Sequence, residues 1–417
     1  MPAFIFFLCS LLFLLWVSRR RNIEAISLYW IFAAFQCLYN IIPWVTSQLN
    51  LPVMVLLSDH AVVDTQLTLA AVSNLCFGCI FLAFYRNNSL LVFRSQVQPE
   101  KRRNFILLAL PLFLLTCAMC AKWGWNQFAT GAVTGTPGGM FTVTAYVKLI
   151  FVSTYLYYLY RFGLDRWGWL LFAENGIVMF IDGARTDFLP VAIVTCLVYA
   201  AHLSRTQRRK VYILAVIGVV ASIGARSIIL SRKASVLENL IAPVTVEGTM
   251  GAYSSLQAIY AVQHHANNGY TYGASYVVDP LLELLPRGQV RNDFQFLPNW
   301  ERQINMGIPG KFAPMGGFYY QAEAIAAFWY VGPPLMTSLF AAALIWMERI
   351  KNRHFLVYLA WAGTTGVLFP KTTFANDFKI FLTELIVLTS FSAMHHYRVF
   401  MAKASANLGS PGITSVS

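Results

Sequence analysis

The sequence predicts an all-α fold: a polytopic integral membrane protein with about eleven transmembrane helices and one long outer loop carrying short interfacial helices. Three observations carry this expectation. Of 417 residues, 57% are hydrophobic and only 12% charged, against roughly 25% charged in a soluble globular domain. Apolar runs recur from residue 2 to about 395, and a run of roughly 18 to 20 residues crosses the hydrocarbon as a helix. The basic residues sit in short clusters between those runs, so the net charge of +13 reports topology rather than nucleic-acid binding.

Taken in order, the candidate spans lie near 2–18, 25–45, 62–85, 104–121, 143–163, 167–183, 187–203, 211–230, 322–346, 354–370 and 376–395. The first differs from a signal peptide because positive charge follows its apolar run and no small-residue cleavage site appears, so it is expected to be a retained helix. With the N-terminus outside, the inner loops collect 19 of the 31 Lys and Arg residues, in clusters such as Arg19 to Arg21, Lys101 to Arg103, Arg205 to Lys210 and Arg349 to Arg353. This bias favours an inner, cytoplasmic-membrane orientation with the C-terminus inside. The inner clusters serve orientation and lipid headgroups. Residues 1–403 are expected to form a single transmembrane domain and 404–417 a disordered tail.

The outer loops are a short one at 46–61, a Gly- and Thr-rich one at 122–142, and a long one at 231–321. The last is far longer than a connection needs, which marks it as a working surface. Within it, Leu256, Ile259, Tyr260 and Gln263 fall at helical spacing over 251–266, and Asp279-Pro280 reads as a cap followed by proline at the first helical position. Both segments are expected in the membrane interface.

The motifs exclude several chemistries. Cys76-Phe-Gly-Cys79 and Cys117-Ala-Met-Cys120 resemble two halves of a zinc site, but both pairs lie inside apolar spans where a thiolate is costly, so packing is the expectation and no metal is assigned. No nucleotide-binding loop, metalloprotease helix or nucleophile elbow stands out.

The informative residues are the basic ones outside the inner clusters, among them Arg185, Arg226, Arg232, Lys233, Arg287, Arg291 and Lys379. Some pair with nearby acids; others suit an anionic substrate, because a guanidinium fork matches phosphate oxygens. Loop 231–321 holds six basic and six acidic residues, so positioned arginines, not diffuse charge, would do the binding. Glu323 begins a span beside Tyr319, Tyr320, Trp329 and Tyr330. It is either a capped carboxylate or a general base, and the aromatics are either an interfacial belt or faces for sugar rings. His264 and His265 offer an acid or base near neutral pH. Glu174 and Glu384 fall mid-span, where a buried acid is a functional candidate or pairs with another helix.

Gly183-Ala-Arg185 at a helix end, Arg232-Lys233, then Tyr272-Gly-Ala-Ser275, Leu284-Leu-Pro286-Arg287, Gly316-Gly317 to Glu323 and Tyr330-Val-Gly332 occur in an order that resembles the Wzy-type O-antigen and capsular repeat-unit polymerases, over roughly residues 180–346. The sequence departs from that pattern after Arg287, reading Arg291-Asn-Asp293 where a lysine-proline often follows. The resemblance implies metal-independent, inverting glycosyl transfer without a nucleotide sugar or other cofactor. The substrate would be an undecaprenyl-pyrophosphate-linked oligosaccharide, with a flippase and a chain-length regulator as partners. It further implies that Arg185 and Arg287 bind pyrophosphate, with Arg226, Arg232, Lys233 and Arg291 as additional contacts. Glu323, or else His264, would serve the acceptor hydroxyl, and Tyr272, Tyr319 and Tyr320 would stack on sugars. An O-antigen ligase shares most of these features. A flippase should show internal repeats and small outer loops, and a metal-dependent enzyme of the dolichyl-phosphate type would need early acids that Asp59 and Asp64 mimic weakly.

Overall fold

A computed structural model describes residues 1–24, 27–49, 59–86, 105–107, 109–119, 138–182, 185–200, 207, 252–264, 271–285, 294–297, 319–369 and 373–408. Among these residues the regular structure is helical, with no strand. The helices are α1 (Pro2–Arg20), α2 (Leu28–Gln48), α3 (His60–Phe84), α4 (105–119), α5 (Gly138–Phe162), α6 (Arg166–Asp182), α7 (Arg185–Ala200), α8 (252–264), α9 (Ala274–Glu283) and α10 (Tyr320–Phe328). A 3-10 turn at Trp329–Val331 leads to α11 (Gly332–Ile350), followed by α12 (Phe355–Ala362), α13 (Thr365–Leu368) and α14 (Phe374–Leu408). Among the described residues, four stretches are long and apolar enough to cross a membrane: Pro2–Arg20, Leu28–Gln48, His60–Phe84 and Tyr320–Ile350. The expected span at 211–230 lies outside the described residues.

The chain divides into two compact units, Met1–Arg94 with Ala184–Phe381 and Ser95–Gly183 with Leu382–Ser417. The last helix, α14, runs on to Leu408. In the second unit, Phe105 of α4 packs on Tyr157, Tyr158 and Phe162 of α5. Asp165 caps α6 by accepting from the Trp167 and Gly168 amides at 3.1 and 3.0 Å, and it also accepts the Tyr158 hydroxyl at 2.7 Å. Capping of this kind satisfies amides that have no helical partner.

The first unit is built on α1 and α3, which meet where Phe13 and Leu14 lie against Gly78. Gly78 lets Phe13 come close, since a Cβ there would meet the Phe13 ring at 2.5 Å. Against this wall lies α8. Its Leu256, Ile259 and Ala261 are buried in one cluster with Val62, Leu67 and Ala70 of α3 and Ile325 of α10. The helical spacing over 251–266 therefore marks a helix, but a core helix rather than the interfacial one expected.

The stretch Tyr320–Ile350 is not one straight span. Trp329 takes φ +56° and ψ −149°, which ends α10. The chain then folds back, so that Thr337 of α11 donates to the Tyr320 hydroxyl at 2.9 Å and Gly332 sits against the Ala324 carbonyl. The result is a helical hairpin. With nine residues, α10 is about 14 Å long, roughly half the hydrocarbon thickness, whereas the 19 residues of α11 reach about 28 Å. The single span expected at 322–346 is thus a half-length helix followed by a full one, because a helix interior does not tolerate the Trp329 conformation.

Candidate functional site

The half-length helix α10 organises the candidate site, and its start is anchored by a buried polar network. The Tyr319 hydroxyl donates to Gln36 Oε1 at 2.6 Å and accepts from Asn40 Nδ2 at 2.9 Å, while Gln36 Nε2 donates to the Tyr320 hydroxyl at 3.0 Å. The Tyr319 amide donates to Ser254 Oγ of α8 at 3.0 Å, so Ser254 and the start of α10 are neighbours. Gln36 and Asn40 are one turn apart on α2, which lets a single helix face serve both tyrosines. Burial, above all, holds the Tyr319 phenol well above its usual range, so it stays a neutral donor.

This arrangement corrects the sugar-stacking role expected of Tyr319 and Tyr320. Their exposures are 0% and 2%. The Tyr319 ring packs on Tyr39 at 5.2 Å and the Tyr320 ring on Phe369 at 5.2 Å. No ring face is left for a sugar, and the pair instead fixes the depth and rotation of α10.

One turn further on, Glu323 is 1% exposed and its Oε2 accepts the backbone N–H of Phe374 at 2.8 Å. It thus holds the N-terminus of α14, where a negative charge is favoured by the free amides and the helix dipole. Asp377, in the first turn of α14, is also buried. Tyr276 of α9 completes this neighbourhood: its ring contacts Phe374 at 5.4 Å and Phe328 at 6.1 Å. Burial and then the Glu323 charge push its phenol well above the usual range. Glu323 therefore holds a helix end and sits beside a neutral tyrosine, an arrangement compatible with proton transfer at its carboxylate.

Above this lies an exposed rim. Thr271 donates its amide to the Ala326 carbonyl at 2.9 Å, and a Cβ on Gly273, which has φ +80°, would strike the Phe328 ring. These contacts lay the Thr271–Gly273 turn against the last turn of α10. Tyr272 between them has φ +48° and is 81% exposed, and Trp329 is 51% exposed and stacks on Tyr330 at 5.2 Å and 19°. Bulky side chains at positive φ cost on the order of 1–3 kcal/mol and persist where surrounding structure imposes them.

The remaining expected residues are scattered. His264, the last described residue of α8, is exposed, with its ring stacked on Tyr260 at 4.1 Å and Nδ1 3.1 Å from the Tyr260 carbonyl. A neutral ring donating from Nδ1 presents Nε2 as an acceptor. Ten residues of helix place His264 about 15 Å along α8 from Ser254. Arg185 opens α7, with its side chain outside the described residues. Arg226, Arg232, Lys233, Arg287 and Arg291 also lie outside them. Lys379 pairs with Glu283 at 3.3 Å, a contact that Gln295 supports by donating to Glu283 Oε1 at 2.9 Å.

The Asp279-Pro280 cap is also corrected. Helix α9 starts earlier, at Ala274 after Gly273, and Asp279 sits within it. Its carboxylate instead accepts the amides of Phe296 and Leu297 at 2.8 and 2.9 Å, clamping 294–297 to α9. Desolvation is the largest influence on that carboxyl and raises its pKa, with the two amides opposing.

Sequence reasoning missed Gln36, Asn40, Tyr276 and the helix break at Trp329, a residue it named only among the aromatics. The first two had a signal, two amides four residues apart in an apolar run; the last two had none. No protein-family model, curated protein or solved structure matches this chain.

Proposed function

We propose that this chain polymerises undecaprenyl-pyrophosphate-linked oligosaccharide repeat units on the periplasmic face of the bacterial inner membrane, building O-antigen or a related surface polysaccharide. The observation that carries the reading is α10: a half-length helix with Glu323 buried near its base and exposed aromatics where it ends. That shape suits a site reached from the outer leaflet. The order of motifs over 180–346, and four stretches among the described residues long and apolar enough to span a bilayer, support the same reading.

In the proposed step the acceptor sugar hydroxyl attacks the anomeric carbon of the growing chain from the face opposite the diphosphate. The glycosidic C–O bond forms, the C–O bond to the diphosphate breaks, and undecaprenyl pyrophosphate leaves with the bonding electron pair. Glu323, or His264 in its place, takes the hydroxyl proton. Arginines at 185 and 287, aided by those at 226, 232 and 291 and by Lys233, would stabilise charge that grows on the leaving group more than the charge already present in the ground state. A second reading, a transporter of the lipid-linked unit, is favoured by the buried Glu174 and Glu384 of the second unit.

Gene deletion with complementation by Glu323→Gln and Glu323→Ala at matched membrane levels tests the proposal. Gln retains an acceptor for the Phe374 amide, so it should leave thermal stability near wild type, while Ala should cost about 1–2 kcal/mol. The deletion should leave core carrying one repeat unit, wild type should restore the ladder, and Glu323→Gln should stay at one unit. Bare core with polymer on the carrier would make the chain a ligase. Absence of any repeat unit in the periplasm would make it a transporter. A normal ladder from Glu323→Gln would remove Glu323 from the chemistry.

A further inference from the structure

The exposed aromatics around the end of α10 are held in conformations that folding alone does not favour. Trp329, with φ +56° and ψ −149°, occupies a region that essentially only glycine visits, and Tyr272, with φ +48°, is bulky for the left-handed region. Burial does not explain them, since 51% and 81% of their surfaces are exposed. An interfacial belt does not explain them either, because Trp and Tyr reach headgroups from ordinary helical positions. What the strain accomplishes is placement. The Thr271 amide on the Ala326 carbonyl and Gly273 against Phe328 set Tyr272 beside the last turn of α10, from which Trp329 emerges stacked on Tyr330. Beside this rim, Val277, Leu281 and Leu285 of α9 and its end recur at intervals of four, all between 47% and 65% exposed, as an apolar stripe.

Exposed aromatics around the end of α10, next to an apolar stripe, match a ligand that is itself divided in two, ring carbons with axial C–H bonds on one side and an alkyl chain on the other. We infer that Tyr272, Trp329 and Tyr330 form a stacking rim for the pyranose nearest the lipid of a polyprenyl-linked saccharide, with the α9 stripe against the prenyl chain. This rests on the polymerase reading and names the part of the substrate the rim would take. Trp329 then sets saccharide position by contact with the sugar.

The test uses the full chain in lipid nanodiscs and two probes, farnesyl pyrophosphate and the same molecule bearing N-acetylglucosamine on its terminal phosphate. Saturation-transfer NMR and titration calorimetry report binding. Wild type should bind the sugar-bearing probe about two- to tenfold more tightly, the range of one or two aromatic contacts. Trp329→Gly and Tyr272→Asn suit the local backbone, so their unfolding temperatures should match or exceed wild type while the sugar-dependent gain disappears and binding of the bare probe persists. Equal affinity for both probes in wild type, an equal loss for both probes in the variants, or a fall in unfolding temperature would overturn the inference. The two readings fail separately. A chain that restores the ladder but does not distinguish the probes loses the rim alone, and a chain that distinguishes them without supporting the ladder loses the polymerase.

Discussion

Replacing Gly332 with alanine should open the α10–α11 hairpin. Gly332 has φ −57° and ψ −55°, so alanine is free to adopt its backbone, and the cost is purely steric. The added Cβ would run into the carbonyl oxygen and carbon of Ala324, which are main-chain atoms held inside α10. Overpacking typically costs about 1–3 kcal/mol, and a backbone obstacle has no rotamer into which it can retreat, so the upper part of that range applies. Alanine returns up to about 1 kcal/mol of helix propensity. The net loss should be about 2 kcal/mol, with the Thr337–Tyr320 hydrogen bond broken. Gly78 is the internal control: its Cβ would meet the Phe13 ring at 2.5 Å, but a side chain can turn aside, so Gly78→Ala should cost less. Equilibrium unfolding by SDS titration in mixed micelles compares the two. Wild-type stability for Gly332→Ala, or a greater loss for Gly78→Ala, would refute the hairpin contact.

Removing the Tyr319 hydroxyl as Tyr319→Phe should destabilise the first unit by about 1–2 kcal/mol, because it takes one partner each from the Gln36 and Asn40 amides in an apolar bundle; the same SDS titration reads this. Asp279 has its carboxyl pKa raised in the folded chain, so the folded state binds the extra proton. Its contribution to stability is full below the ordinary aspartate value and is lost as pH rises through the window up to the raised value. Asp279→Asn should flatten stability against pH in that window and, by keeping one acceptor where there were two, speed hydrogen exchange at Phe296 or Leu297. An unchanged slope would remove Asp279 from the pH response.

Much of this was legible because a bilayer imposes a coarse rule. Apolar length alone marked the helices at Pro2–Arg20, Leu28–Gln48 and His60–Phe84, and the 3.6-residue spacing of Leu256, Ile259 and Gln263 marked α8. The same rule misled where one apolar stretch holds two helices. Residues 320–350 are apolar enough to read as a single span, and no composition signal distinguishes a helix interior from the Trp329 break. The interfacial reading of α8 failed because a helix facing α3 and α10 has the same apolar positions as one facing lipid. Glu323 was singled out as a carboxylate opening a span, with a capping role and a general-base role both open, and its bond to Phe374 joins residues 51 apart in sequence, which no local pattern contains.

The short helix α10 also constrains how the protein can be made. At nine residues, about 14 Å, it is too short to cross the bilayer alone. A segment of that length cannot enter the hydrocarbon with its starting amides bare, because unpaired backbone groups are expensive there. At the start of α10, Ser254 of α8 accepts the Tyr319 amide while Gln36 and Asn40 of α2 hold the tyrosine hydroxyls, and α8 in turn packs on the α3 surface. Helices α2 and α3 must therefore be in place before α10 can seat, which makes the N-terminal spans a template on which the later half-helix is mounted.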